Sequence, residues 1–151
     1  MHNNFRSYRG ITPTLGNAVY VDQSAVLVGD ITLGDDTSVW PLVAARGDVN
    51  KITIGARSNI QDGSVLHVGC VLGDRILVGM GAIIMDGAVV EDDVFIGAGS
   101  LVPPNKTLKS GYLYVGNPVK QARELKESEA NFLKQSAINY VELKAEYLAN
   151  S

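Results

Sequence analysis

The sequence holds one cysteine, two histidines, one tryptophan and five prolines in 151 residues. A lone Cys70 excludes an intrachain disulfide framework and fits a reducing compartment. Positive charge is in short supply. Thirteen Lys and Arg against sixteen Asp and Glu give a net charge of -3, which leaves no broad basic footprint for nucleic acid. No uninterrupted apolar run approaches the roughly 18 residues of a membrane span. The opening MHNNFRSYRG lacks the apolar core of a secretory signal. These absences predict a single cytoplasmic domain, large enough to bury its own core, with neither nucleic acid nor membrane as partner.

What is present is a period of six. Stepping from Leu15 gives Val21, Leu27, Leu33, Val39 and Ala45. Restarting at Ile54 gives Ile60, Leu66, Leu72, Val78, Ile84, Val90, Ile96 and Val102, so fourteen of these fifteen positions are Leu, Ile or Val. Four places after them stand small or β-branched residues, among them Ala25, Thr37, Ser58, Ser64, Cys70, Ala82, Ala88, Val94 and Ser100. Six is three strand periods of two interrupted by a corner. The aliphatic residue points in, the small residue fills the corner, and Gly16, Gly34, Gly55, Gly73, Gly79 and Gly97 relax the backbone where the chain bends. Three edges close a triangular coil, which predicts a prism of about five coils, roughly 20–25 Å tall. VNKIT, around Lys51 to Thr53, breaks the phase by three residues and reads as a bulge at one corner. The period is expected to end near Val102-Pro103-Pro104, where proline removes ladder donors.

The reading divides the chain into an N-terminal segment (1–14), a parallel β-solenoid (15–107), an extended connection (108–124) and a C-terminal α-helix (125–150) packed on the prism. Leu133, Ala137, Tyr140, Lys144, Tyr147 and Leu148 keep helical spacing, with the Lys144 stem along the apolar stripe. Trp40 before Pro41 reads as a packing residue at a corner or interface.

The hexads resemble the left-handed parallel β-helix superfamily, and the hand is taken from that resemblance. SVWPLVAARGDVNKITIGARSNIQDGSVLHV, GDRILVGMGAIIMDGAVVEDDVFIGAGSLVPPNK and GYLYVGNPVK together resemble the γ-class carbonic anhydrase-like family. The resemblance implies a homotrimer with zinc between protomers, three histidine ligands, and an open position where bound water becomes the hydroxide that attacks CO2. It places His67 as the first zinc ligand, Gln61 and Asp62 beside the metal, Asn59 nearby, and Arg46 and Asp48 as a charge pair near site and interface. Read leftward from GC, His67 is instead the remnant of the third ligand.

The segment expected to carry two further histidines is missing: VLHV runs straight into GCVLGDR. Roughly one coil and its loop are absent relative to the family pattern, yet the phase Ile60, Leu66, Leu72, Val78 passes through intact. Leaving out a whole coil preserves register, because each coil contacts mainly its neighbours. The expectation is a folded, shorter prism with an incomplete zinc site, zinc not stably bound, and CO2 hydration absent or very low. Several alternatives stay open. His67 is either a residual ligand, with Asp62, Gln61 or water, or an interface histidine. Arg46 and Asp48 either anchor bicarbonate or another small anion, or form an interface salt bridge. Cys70 reads as a core residue. GNPVK, with Lys120 placed to meet a phosphate, keeps open a coenzyme A-dependent hexapeptide acyltransferase. A non-catalytic trimeric scaffold or ligand-binding protein is the third reading.

Overall fold

Each six-residue step turns a corner, and three steps return the chain above itself eighteen residues later, so that Leu77 pairs with Phe95 and Val65 with Ile83. The structure, a computed structural model, describes residues 4–150, apart from the side chains at positions 136, 137, 139, 140, 141 and 148. Three parallel faces result. The first holds β1 (Phe5–Arg6), the front of β4 (Val26–Leu33) and of β6 (Ala44–Ile54), β8 (Val65–Leu66), β11 (Ile83–Ile84) and β14 (Leu101–Val102). The second holds β2 (Thr14–Leu15), the far halves of β4 and β6, β9 (Val71–Leu72), β12 (Val89–Val90) and β15 (Thr107–Leu108). The third holds β3 (Tyr20–Val21), β5 (Ser38–Val39), β7 (Asn59–Ile60), β10 (Leu77–Val78), β13 (Phe95–Ile96) and β16 (Tyr112–Gly116), and antiparallel β17 (Val119–Glu124) closes it.

The solenoid therefore has about six turns, one more than the hexad count gave. It begins before residue 15, because Phe5 and Arg6 pair with Leu27 and Val28 without carrying the repeat. It also runs beyond Pro103-Pro104. Those prolines sit in a corner, where no ladder donor is needed, and the inward positions continue through Leu108 to Tyr114, both buried. The Tyr114 hydroxyl accepts from the Lys109 amide (2.8 Å) and donates to Gln121 Oε1 (3.1 Å), so a polar tip closes the core at that end.

The predicted inward aliphatics are all buried except Leu15, which packs partly exposed against the first coil. The corner residues from Ala25 to Ser100 are buried as well. Polar members of that set satisfy the adjacent coil: the hydroxyls of Thr37, Ser58 and Ser64 donate to the carbonyls of Gly55, Gly73 and Gly79 at 2.7, 3.0 and 3.0 Å. The phase break is a bulge. Gly29 faces Gly47, but Ile31 faces Ile52, so the four residues Asp48 to Lys51 stand opposite Asp30 alone.

The glycines after the aliphatic residue play a different part from the one expected. Gly79 has ordinary φ; a Cβ there would lie 2.5 Å from the Ala98 amide nitrogen of the next coil. The bend lies two residues on, where every sixth residue from Arg57 to Gly111 has positive φ. Space between coils selects the first set, and the left-handed corner selects glycine at Gly81.

The C-terminal helix α1 (Glu127–Asn150) lies along the third face. At its start the Glu129 carboxylate reaches back to the Lys126 amide (2.9 Å) and pairs with Arg123. These contacts, Arg123 foremost, hold the Glu129 carboxyl down at about 2. Phe132 stacks on Phe95 (6.5 Å between centroids), and Tyr147 meets Tyr20 (5.6 Å) and Trp40 (5.4 Å). From Phe132 to Tyr147 a helix rises about 22 Å, and the strand steps from β13 down to β3 span about 19 Å, so α1 runs along the prism axis. Leu133 and Lys144 are buried, and the Lys144 ammonium bonds the Ala18 carbonyl and, at 2.8 Å, Asp36 Oδ1. Ala137, Tyr140 and Leu148, expected on the same stripe, lie outside the described side chains, and His2 lies outside the described residues.

Candidate functional site

The ridge between the first and second faces gathers the candidate chemistry. The strand pairs Ala44 with Val65 and Ala45 with Leu66, so Arg46 and His67 leave neighbouring coils side by side. The His67 amide continues the ladder to the Ile84 carbonyl (2.9 Å). Arg46 folds onto Asp48, with Nη2 at 2.8 Å and Nε at 3.2 Å from Oδ2, while Asp48 Oδ1 accepts the Val49 amide (2.9 Å). The Arg46 guanidinium, helped by that amide, holds the Asp48 carboxyl below its usual range. Both members of the pair belong to one chain, and the bulge beside them pushes Val49 out to 71% exposure.

His67 finds a partner that the sequence reading did not name. Its Nδ1 is engaged by Asp86 of the next coil. The count of eighteen places Met85 over His67, so the residue after it was within reach of the repeat. Beside the pair opens a depression of about 500 Å³, lined by Asn50, Lys51, Val68, Asp86 and Asn105. A smaller one of about 240 Å³ shares Lys51 and is bordered by Arg9, Asp30 and Asp48.

The other expected neighbours of His67 do not reach it within one chain. Gln61 and Asp62 occupy the corner at the opposite end of β8; the Gln61 amide bonds the Val78 carbonyl (3.0 Å), and the Asp62 carbonyl accepts the Gly81 amide (2.9 Å). Asn59 lies on the third face, one strand from β5, which α1 touches; it is buried, and neither side-chain amide atom has a hydrogen-bond partner among the described residues. Alternation explains the difference. Ile60 points in, so Asn59 points out onto the face that carries the helix. Trp40 packs on that face too, its ring tilted 44° against Tyr20 (5.1 Å between centroids) and its indole N–H on Ser38 Oγ (3.0 Å).

The donor set does not fit a three-histidine zinc centre within the chain. Among the described residues no three His, Cys, Asp or Glu side chains converge. Cys70 faces the core, and burial pushes its thiol up to about 12, far from the thiolate that ligates metal. Lys120 stands exposed on β17 opposite Val115. Among the described residues, no helix is long and apolar enough to cross a membrane.

Comparison with known proteins gives the same architecture. The family described as bacterial transferase hexapeptide (six repeats) matches residues 69–104. The chain is 50% identical over 176 residues to Protein YrdA of Escherichia coli (strain K12), which covers 98% of this chain and 96% of that protein. It is 44% identical over 147 residues to a probable carbonic anhydrase of Methanocaldococcus jannaschii, covering 83% of this chain and 92% of the relative. A solved hexapeptide transferase family protein from Anaplasma phagocytophilum superposes with a TM-score of 0.78 at 33% identity, over 97% of this chain and 99% of that one.

Proposed function

The chain belongs to the γ-carbonic anhydrase-like family of hexapeptide-repeat proteins, and from that premise we propose that it is a cytoplasmic homotrimer in which the three-histidine zinc centre is not assembled and CO2 hydration is absent or very low. The observation that carries this reading is the donor count: His67 is the one histidine among the described residues, and no three His, Cys, Asp or Glu side chains converge among them. The aligned length supports it as well. An alignment of 176 positions against a chain of 151 residues requires YrdA to carry residues that this chain lacks, as a missing coil and loop demand. Strand pairing runs from Val65–Ile83 to Val71–Val89 with no change of register, so the shortened prism keeps its core while losing donors.

The function that remains is that of a scaffold or small-ligand binder. Arg46 and Lys51 offer positive charge along the ridge, suited to bicarbonate or another small anion, although Asp48 already takes two of the Arg46 donors. The test is zinc per subunit by elemental analysis of tag-free protein purified with added zinc and dialysed, followed by CO2 hydration in a stopped-flow pH assay. Less than about one-tenth of a zinc per subunit and no hydration above buffer are expected. One retained zinc per subunit with chelator-sensitive hydration would overturn the reading.

A second reading is coenzyme A-dependent acyl transfer. It is favoured by the structural likeness to a hexapeptide transferase family protein and by the exposed Lys120 beside the Gly116–Val119 turn. Saturable binding of coenzyme A in calorimetry, lost in Lys120→Ala, would support it.

A further inference from the structure

We propose that α1 is a releasable strap: it leaves the third face as a unit while the prism stays wound, and so uncovers the strip formed by Tyr20, Trp40, Leu77 and Phe95. The outward positions of successive strands on that face are Tyr20, Ser38, Asn59, Leu77 and Phe95. The helix grips this row at its two ends. Phe132 lies on Phe95 at one end; Tyr147 lies on Tyr20 and Trp40, with Lys144 on Asp36, at the other. Between the two grips the row passes through Asn59, which is 4% exposed and whose amide N–H and carbonyl are both unpaired among the described residues. A buried amide that has lost water without gaining a partner opposes the state that buries it. Release returns water to Asn59, whereas an apolar residue there would gain nothing by it.

The described core of the prism is built without the helix. Among the described side chains, its core cluster runs from Val21 to Val119 and takes none from α1. The joint is short: β17 ends at Glu124 and α1 begins at Glu127, with the exposed Arg123–Glu129 pair bridging the joint. The helix can therefore pivot at Leu125 and Lys126 without unwinding a coil, in the manner of a low-stability unit on a stable body.

The experiment is native-state hydrogen exchange on the full chain, read alongside the emission of Trp40, the single tryptophan, which lies against Tyr147. Amides of α1 are expected to exchange at least about a hundredfold faster than those of β8 and β10, through openings that leave the prism protected. Asn59→Val is expected to slow α1 exchange by about tenfold, the effect of removing an unpaired buried amide, and to leave prism amides unchanged. Tyr147→Ala is expected to speed α1 exchange and shift Trp40 emission to the red. Exchange of α1 and prism amides at one common rate would overturn the proposal, as would an α1 rate that Asn59→Val does not change. The wild-type comparison needs no substitution and decides the matter alone should Asn59→Val fail to fold.

Discussion

Asp86 meets Nδ1 of His67 from the next coil, a contact that orients the imidazole and leaves coordination of any ligand to Nε2. Both side chains are partly exposed, 38% and 52%, and a pair in that setting contributes about 0–1 kcal/mol. His67→Ala is therefore expected to lower the melting temperature by no more than about 4 °C. A thermal scan with and without added zinc checks it. A metal-dependent gap between wild type and variant would show that His67 serves a ligand instead.

Two glycines of one corner should fail for different reasons. At Gly79 a Cβ would strike the Ala98 amide nitrogen; at Gly81 nothing lies within 4 Å, but φ is +69°. Gly79→Ala and Gly79→Asn should both destabilise by about 1–3 kcal/mol, as overpacking does. Gly81→Ala should cost about 1 kcal/mol and Gly81→Asn clearly less, because asparagine tolerates the left-handed region. Urea midpoints for the four variants test the split. Equal costs for Ala and Asn at Gly81 would contradict it.

Cys70 should be chemically silent in the native protein. It is fully buried and its thiol is pushed up to about 12 by that burial. A disulfide reagent at mild alkaline pH is expected to leave it unmodified for as long as the prism is folded, and to label one thiol per chain on denaturation. Prompt labelling of native protein would mean that the coils around Cys70 open readily.

Tyr20 supplies a pH signature. Burial first, and then its hydrogen bond to Asp22 (2.9 Å), raise the phenol from 10.0 to about 12. Its contribution to stability is thus intact below about pH 10 and is lost as pH rises through about 12. Tyrosinate absorbance should show a late step that disappears in Tyr20→Phe. Asp22→Asn should move that step part of the way back, and an unmoved step would leave burial as the sole cause.

The solenoid was legible because one rule, an aliphatic residue every six, is both a sequence pattern and the packing of the core. Tyr114 obeys that rule, but an aromatic residue hides it, and Phe5 joins a coil without any repeat to announce it. The site was harder to read. Hexad position says which coil His67 leaves from, but the reach of a corner side chain depends on its neighbour's length, and so Asp86 was missed. Asn59 was placed near the site by resemblance. Its burial depends on which face the helix covers, and local periodicity carries no information about that.

Register here is restored once every eighteen residues, and that gives such chains a grammar of permitted lengths. A cut that removes whole turns joins aliphatic to aliphatic and corner to corner, and the lineage keeps its architecture. A cut of six or twelve keeps inward residues in but hands each following strand to another face, and a cut that is no multiple of six, unless an outlooping segment absorbs the remainder, turns inward residues out. Chemistry housed on a single coil is therefore detachable cargo, and a descendant can set it down without rewriting the body that carried it.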